Sequence, residues 1–211
     1  MNKFSSSIAV LVFSIVSLTA QNNADAQKVI DKLTTSIQTT AVKTNFELLI
    51  TEKNAVNSQP VLGTFVMKAN KFTLDVNETK AWFDGKTQWT YLRTDNEVTI
   101  TEPTVDELAQ INPMIILASF KVKSWVRFGK TKSANAILIE LVPKNKKDDF
   151  TKIEVLLDKK STTPKNIRIV SKNKSVTSLK MMNYRQIDNL PAETFTFNKN
   201  KYKNTLINDL R

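Results

Sequence analysis

The residue types that most often carry out chemistry are scarce in this sequence. It contains no histidine and no cysteine. Ser–His and Cys–His nucleophile pairs therefore cannot form, and the commonest metal ligands are missing. The three glycines, Gly63, Gly85 and Gly129, are too few and too dispersed for a phosphate-binding loop or a dinucleotide fingerprint. The acidic residues are scattered or lie in turns such as Asp148-Asp149. We therefore expect no enzyme, no metal site and no cofactor.

The formal charge of +11 arises from 31 basic and 20 acidic residues. Most of the basic residues are lysines in turns and at strand edges, where they also discourage edge-to-edge pairing of sheets. A compact arginine cluster or a recognised nucleic-acid module is lacking, so we expect no nucleic-acid partner. A solvated surface that faces an anionic membrane or an acidic partner accounts better for the charge.

Residues 1–20 differ in composition from the rest of the chain. A short basic region at Lys3 precedes an apolar run from Ile8 to Val16. This pattern is typical of a secretory signal peptide with cleavage after Ala20, or else after Ala26; a membrane anchor is the alternative. The product, residues 21–211, should be a single soluble exported domain that its core holds together without disulfides.

Residues 63–100 show the alternation of apolar and polar side chains that indicates consecutive antiparallel strands. Phe72, Leu74 and Val76 share one face of their strand, and Trp89 and Tyr91 share a face of theirs. Asp84-Gly85 lies between two such runs and predicts a two-residue hairpin turn. The stretch therefore reads as a meander with a large apolar face.

The rest of the chain extends this pattern. Apolar residues recur at helical spacing over 24–40, which predicts an amphipathic helix that packs on the domain. Strand patterns follow with turn residues between them, which predicts about eleven strands. This pattern is typical of an all-β sandwich or barrel. The predicted strands outside the meander lie at 42–53, 61–68, 122–128, 136–142, 151–157, 165–170, 175–181 and around Phe195 to Phe197.

Two helix-start signals interrupt the strands. Thr104 and Glu107 form a capping box, and Asn112 precedes Pro113 at a second start. The run from Met114 to Phe120 is apolar nearly all round, so it must be covered on every side. It is either a buried connector or a movable lid over a hydrophobic cavity.

The ordered set of motifs resembles the periplasmic outer-membrane lipoprotein carriers, the LolA-like family. The resemblance rests on a signal peptide, an N-terminal helix and Gly63–Phe72, then on Phe83–Tyr91, Glu97–Ile100 and the apolar run after Pro113. It implies a mainly β, single-domain, open (unclosed) antiparallel β-barrel of about eleven strands. An N-terminal helix and lid helices would cover its concave face.

In function, the resemblance implies a non-enzymatic periplasmic chaperone that acts as a monomer. It would bind the acyl chains of lipoproteins in a hydrophobic cavity. It would take them from an inner-membrane lipoprotein-releasing ABC transporter to an outer-membrane acceptor. Two alternatives stay open at this point, a binding protein for another lipid or amphiphile and an envelope interaction module on the same scaffold.

The expected site has two parts. The strands would contribute the cavity lining, and the run after Pro113 would contribute the lid. Ala69 stands where well-studied family members carry an arginine that ties the strand to the lid helices, so the resemblance implies a different gating contact here. Lys68 or Lys71 could replace that contact only as a point donor. The lining candidates are Phe65, Met67, Phe72, Leu74, Trp89 and Tyr91, and the lid candidates are Met114, Ile115, Leu117 and Phe120.

Overall fold

The computed structural model describes residues 6–52, 59–104, 107–108 and 112–211, with side chains from residue 23 onward except at positions 113 and 192. The helices described along their whole length are α1 (Ser6–Thr39) and α2 (Pro113–Lys123), residues 107–108 are also helical, and Ala192–Phe195 forms a 3-10 turn. The first strands are β1 (Ala41–Thr51), β2 (Val61–Lys68), β3 (Lys71–Val76), β4 (Thr79–Phe83), β5 (Gln88–Leu92) and β6 (Glu97–Thr101). The others are β7 (Ser124–Phe128), β8 (Ala136–Pro143), β9 (Phe150–Asp158), β10 (Pro164–Ser171), β11 (Val176–Ile187) and β12 (Leu206–Asp209).

All twelve strands form one sheet in the order β12-β6-β5-β4-β3-β2-β1-β11-β10-β9-β8-β7. Neighbouring strands are antiparallel except for β12, which runs parallel to β6. Strands β1–β6 and β7–β11 form two antiparallel meanders. The first strand of the first meander, β1, pairs with the last strand of the second, β11, in the middle of the sheet. Strands β12 and β7 are its two edges, so the barrel is not closed. The mainly β, open-barrel prediction is therefore confirmed.

Helix α1 packs with the stripe that the sequence predicted. Ala26, Ile30, Leu33 and Ile37 are all buried in the main hydrophobic core. The helix begins at Ser6, well before the predicted residue 24, so the expected boundary after Ala20 falls inside it. Residues 1–5 of the predicted signal peptide lie outside the described residues. Among the helices described, none is both long and apolar enough to cross a membrane.

Two local predictions need correction. The reversal at Asp84-Gly85 is a four-residue loop, because Phe83 pairs with Gln88 across it. The Asp84 carboxylate accepts hydrogen bonds from the backbone N–H groups of Lys86 at 2.9 Å and Thr87 at 2.8 Å, which closes the wider loop. Gly85 alone in this loop has a positive φ, of 104°.

The predicted strand at Phe195–Phe197 is absent. Phe195 ends the 3-10 turn, and the last strand of the sheet is instead Leu206–Asp209, near the C-terminus. A buried Phe195 explains the apolar signal there without a strand.

Both helix-start signals act as predicted. Glu107 accepts a hydrogen bond from the backbone N–H of Thr104 at 2.7 Å, and its own N–H donates to the Thr104 hydroxyl at 3.3 Å. Asn112 caps α2 by accepting from the N–H of Met114 at 3.0 Å. Between the two helix starts, residues 105–106 and 109–111 lie outside the described residues. Strand β7 follows α2 directly and alternates as expected, with Val126 buried and Trp125 exposed.

Candidate functional site

The inner face of the sheet and helix α2 enclose a cavity of about 380 Å³. We define the inner face as the one that packs against α1 and α2 and carries Phe65, Phe72 and Phe83. Strands β1, β2, β3, β10 and β11 supply most of the cavity wall, and α2 covers it with Met114 and Ile116. The seam between β1 and β11 therefore runs through the middle of this wall.

The cavity lining carries no charge. Its polar members are three threonines near or at strand ends, Thr44, Thr79 and Thr177, and Asn77 in a turn. The Thr44 hydroxyl is buried and donates to the carbonyl of Met182 at 3.0 Å, so it is satisfied within the sheet. A surface of this kind favours an apolar ligand, since it offers few polar partners and gains from removing apolar area from water.

Three of the six residues expected to line the cavity do so, namely Phe65, Met67 and Leu74. Phe72 lies beside the cavity but does not line it. It is fully buried, and its ring stacks on Phe65 at 5.5 Å and packs against Phe83 at 5.4 Å between ring centroids. Phe72 thus supports the wall from the side.

Trp89 and Tyr91 lie on the outer face of the sheet, which corrects the expectation that they line the cavity. Trp89 is the cross-strand partner of Trp82, and directly opposed residues point to the same face. The Tyr91 ring packs against Tyr202 at 4.8 Å, and Tyr202 also contacts Trp82 at 5.4 Å. These rings belong to a second, smaller cluster that the C-terminal segment covers.

The four lid candidates have different roles. Met114 lines the cavity, and Ile115 lines a second pocket on the other side of α2. Leu117 is fully buried in the core. Phe120 is partly buried and packs edge-on against Phe150 of β9 at 4.5 Å. Only the first turn of α2 therefore faces the cavity, while its later turns attach the helix to the sheet.

Sequence reasoning missed the half of the lining that comes from β1, β10 and β11. The alternation of these strands was visible, but their distance along the chain from residues 63–100 concealed that they share a wall. Ile116 was missed for another reason, because an all-apolar helix does not reveal which side faces the cavity. The missed apolar residues are Phe46, Leu48, Val61, Val76, Ile116, Ile167, Ile169 and Leu179.

The second pocket, of about 630 Å³, lies between α1, α2 and the β2–β3 turn and includes Ala69 and Asn70. Ala69 has a φ of 53°, and its N–H donates to the carbonyl of Ile37 at 2.9 Å, so this turn is tied to α1 by the backbone. Lys68 and Lys71 are both exposed. The lid is attached elsewhere, by Lys121 of α2.

Lys121 joins the lid to α1 through two contacts. Its Nζ lies 2.7 Å from the Asp31 carboxylate and 2.8 Å from the Thr34 hydroxyl. The hydrogen bond from Lys121 holds the pKa of Asp31 below its ordinary value. We call this three-residue contact the α1–α2 latch.

A catalytic or metal centre is not evident from the described part of the chain. No group of three or more His, Cys, Asp or Glu residues there could hold a metal ion. The charged side chains with the most partners form a ladder on the outer face, from Arg127 through Glu140, Lys152 and Glu154 to Arg168. Arg127 therefore pairs with Glu140, at 2.9 Å, on the side away from the cavity.

An open antiparallel sheet that wraps an uncharged cavity beneath a helix defines a scaffold for binding apolar ligands. The sequence model of the family described as outer membrane lipoprotein carrier protein LolA matches residues 16–173. The chain therefore belongs to this family, and the resemblance drawn from its motifs is confirmed.

Comparison with solved structures finds similar chains at low sequence identity. An uncharacterized conserved protein from Thermus thermophilus has 14% identity and a TM-score of 0.58, with 88% of this chain and 99% of that chain covered. This similarity shows a shared fold. A LolA superfamily protein from Nitrosomonas europaea has 12% identity and a TM-score of 0.44, with 82% of this chain and 97% of that chain covered. No curated protein matches the sequence.

Proposed function

We propose that this protein is a non-enzymatic periplasmic carrier that binds the acyl chains of lipoproteins in the inner cavity. The observation that supports it most directly is the uncharged cavity beneath α2 in a chain of the LolA family. Burial of each methylene of an acyl chain contributes about 0.8 kcal/mol, so a cavity without polar partners is sufficient for binding.

The cavity volume suggests how much cargo fits without movement. A volume of about 380 Å³ lies near the lower end of the range for ligand pockets, about 300–1,000 Å³. More than one acyl chain would therefore require α2 to move away from the sheet. The first turn of α2, with Met114 and Ile116, is the part that would move from the cavity.

The residues have distinct proposed roles. Phe65, Met67 and Leu74 contact the acyl chain together with the β1, β10 and β11 lining. Met67 and Met181 adapt to its shape, because the unbranched thioether side chain has several rotamers and a polarizable sulfur. Met114, Ile115, Leu117 and Phe120 act as the lid, in which Met114 touches cargo and the others anchor the helix.

The proposal includes the wider pathway. Residues 1–20 direct export and are removed, and residues 21–211 act as a monomeric carrier. It receives lipoproteins from an inner-membrane ABC transporter and passes them to an outer-membrane acceptor. Family membership and the cargo chemistry are the grounds for proposing these partners.

A pair of adjacent substitutions tests the cavity. Leu48 lines it, whereas Leu49 lies on the outer face of the same strand, and both are half-buried. Leu48→Trp should fill the cavity and weaken the binding of a fluorescent fatty acid at least ten-fold. Leu49→Trp should leave this binding near that of the wild type. Equal binding by the two variants would refute the cavity as the acyl site.

Native mass spectrometry distinguishes the cargo. Protein purified from a cell envelope without detergent should carry the mass of an acylated peptide. A free phospholipid or fatty acid mass in its place would show that the protein carries another amphiphile.

A further inference from the structure

The exposed large apolar side chains of this protein gather at one end of the barrel. Trp125 at the start of β7 is 66% exposed, and Val122 beside it is 65% exposed. Ile50 at the end of β1 and Leu62 at the start of β2 are 51% and 59% exposed. The antiparallel register places all of these positions at the same end of the sheet. We call this end the open rim, with the 144–149 and 172–175 turns included.

Other described residues follow the same trend. Leu92 and Leu206, also exposed, lie at the strand ends of this rim, and Ile207 follows in β12; Leu210, just after β12, is the exception. At the opposite rim, the described residues of the β2–β3, β4–β5, β7–β8 and β9–β10 connections include no exposed large apolar side chain. The apolar residues are therefore not scattered evenly over the surface.

The cavity opens toward the open rim. Val61, Asn77 and Thr177 line the cavity, and each lies at the start of a strand or in a turn of this rim. An apolar ligand that leaves the cavity here would pass between the exposed apolar side chains.

Lysines surround Trp125. Lys144 holds its Nζ 5.1 Å from the centre of the Trp125 ring and donates to the carbonyl of Val122 at 3.2 Å. The acidic residues in the adjacent turns are Asp148 and Asp149, while Glu52, Glu78 and Asp95 lie farther round the rim. The exposed lysines in these connections are Lys123, Lys144, Lys146, Lys147, Lys172 and Lys174.

We propose that the open rim docks onto an anionic membrane surface, with Trp125 and Val122 at the lipid interface and the surrounding lysines at the headgroups. This inference rests on the proposed function, because it assigns the part of the carrier that faces the membrane where lipoproteins are received or delivered. Tryptophan favours the headgroup level, where its ring is in contact with acyl chains and its N–H with water.

The spacing of the exposed residues favours lipid over a protein partner. The hot spots of protein interfaces are compact clusters in dry pockets. Here single apolar side chains lie at strand ends, and lysines flank Trp125 and Val122. That is the arrangement of a surface that inserts a few side chains and binds headgroups by charge.

Vesicle partitioning tests the proposal on the full-length mature protein. Wild type should bind vesicles of equal parts phosphatidylglycerol and phosphatidylcholine, bind vesicles of phosphatidylcholine alone far less, and lose binding as salt rises. Lys146→Glu/Lys147→Glu should weaken binding at least about five-fold for each lysine, the fold-change that corresponds to about 1 kcal/mol. Trp125→Ser should also weaken binding and remove a blue shift in tryptophan emission.

Matched controls keep the test specific. Lys130→Glu/Lys132→Glu makes the same charge change in the β7–β8 hairpin at the opposite rim, and Leu210→Ser removes an exposed apolar side chain away from the open rim. Both controls should bind like wild type. Equal losses in controls and rim variants would overturn the proposal, as would unchanged binding by Trp125→Ser.

A fatty-acid displacement assay on the same variants separates this inference from the proposed function. Trp125→Ser should retain fatty-acid binding, because Trp125 lies on the outer face. Failure of wild type to bind fatty acid would refute the carrier function, whereas failure of wild type to bind anionic vesicles would refute rim docking alone.

Discussion

The ring of Phe46 lies directly over Gly63 on the neighbouring strand. The two residues are cross-strand partners, and a Cβ atom at Gly63 would lie 2.5 Å from Cζ of Phe46. It would also lie 2.7 Å from the carbonyl oxygen of Asp75 on the other side. Glycine at this position lets Phe46 lie across β2 and form part of the cavity wall.

We predict that Gly63→Ala destabilises the protein by about 1–3 kcal/mol, as overpacking of a core does. Phe46→Leu should recover part of this loss in the double variant, because a shorter side chain relieves the ring contact but not the contact with Asp75. Urea unfolding of both single variants and the double variant would measure the coupling. Strictly additive changes in the free energy of unfolding would contradict the packing relationship.

The α1–α2 latch gives a prediction about lid motion. Asp31→Asn should increase hydrogen exchange in α2 while lowering overall stability by less than about 1 kcal/mol, because the Asp31 side chain is 47% exposed and screened by solvent. Asp25→Asn makes the same charge change on the same helix, where Asp25 pairs with Lys28, and should leave α2 exchange unchanged.

The latch also predicts a pH dependence. The pKa of Asp31 is lowered in the folded protein. The stability that the ionised carboxylate gives to the latch is therefore fully present above the ordinary pKa of 3.8, and it is lost as the pH falls through the lower folded value. Exchange in α2 of the wild type should therefore rise at acidic pH toward that of Asp31→Asn. Parallel pH profiles for the two proteins would show that the latch does not control the lid.

The outer-face aromatic cluster can be separated from the cavity. Tyr202 contacts Trp82, Tyr91 and Phe197 with centroid distances of 5.4, 4.8 and 5.2 Å. Tyr202→Ala should cost about 1–3 kcal/mol through loss of these contacts and alter tryptophan fluorescence, without changing fatty-acid affinity. A lowered affinity would mean that this cluster is part of the ligand site.

The ladder on β7–β10 contains a pair of like charges. Glu140 and Glu154 are cross-strand partners, and Lys152 lies between them at 3.6 and 2.6 Å. The hydrogen bond to Glu154 raises the pKa of Lys152. Lys152→Met should destabilise the sheet by about 1 kcal/mol, since it leaves two carboxylates facing each other.

Thermal unfolding of the Lys152→Met and Lys180→Met variants, compared with the wild type, would test this predicted loss of stability. Lys180 is 3.7 Å from Glu47 and 55% exposed, so its removal should change little. Similar losses in both variants would show that the central position of Lys152 has no special effect.

The sequence predicted strands well because their alternation is local, but it could not assign every apolar face. Strands β3 and β5 both alternate, but β3 places its apolar side chains in the core and β5 places its own on the outer face, beneath the C-terminal segment. Trp89 and Leu74 therefore looked equivalent in the pattern, although they lie on opposite faces. What marks the outer face is Tyr202, which contacts Trp82 and Tyr91 from more than a hundred residues along the chain.

The lid was predictable as an element but not in its attachment. Asn112 and the apolar run after it give the start of α2 directly from local hydrogen-bond chemistry. Lys121 and Asp31 are 90 residues apart and look like ordinary surface charges in the sequence. Only the packing of α2 on α1 makes them partners.

The pairing of β1 with β11 has a consequence for how the protein is made. These strands are more than a hundred residues apart along the chain, so the middle of the sheet is also its most distant pairing in sequence. Non-local pairing slows folding, because the loop that it closes is long. During synthesis the β1–β6 meander could form early, but the seam between β1 and β11 would form only once β11 has been made. The cavity would thus be completed among the last parts of the structure, after most of the chain has been synthesised.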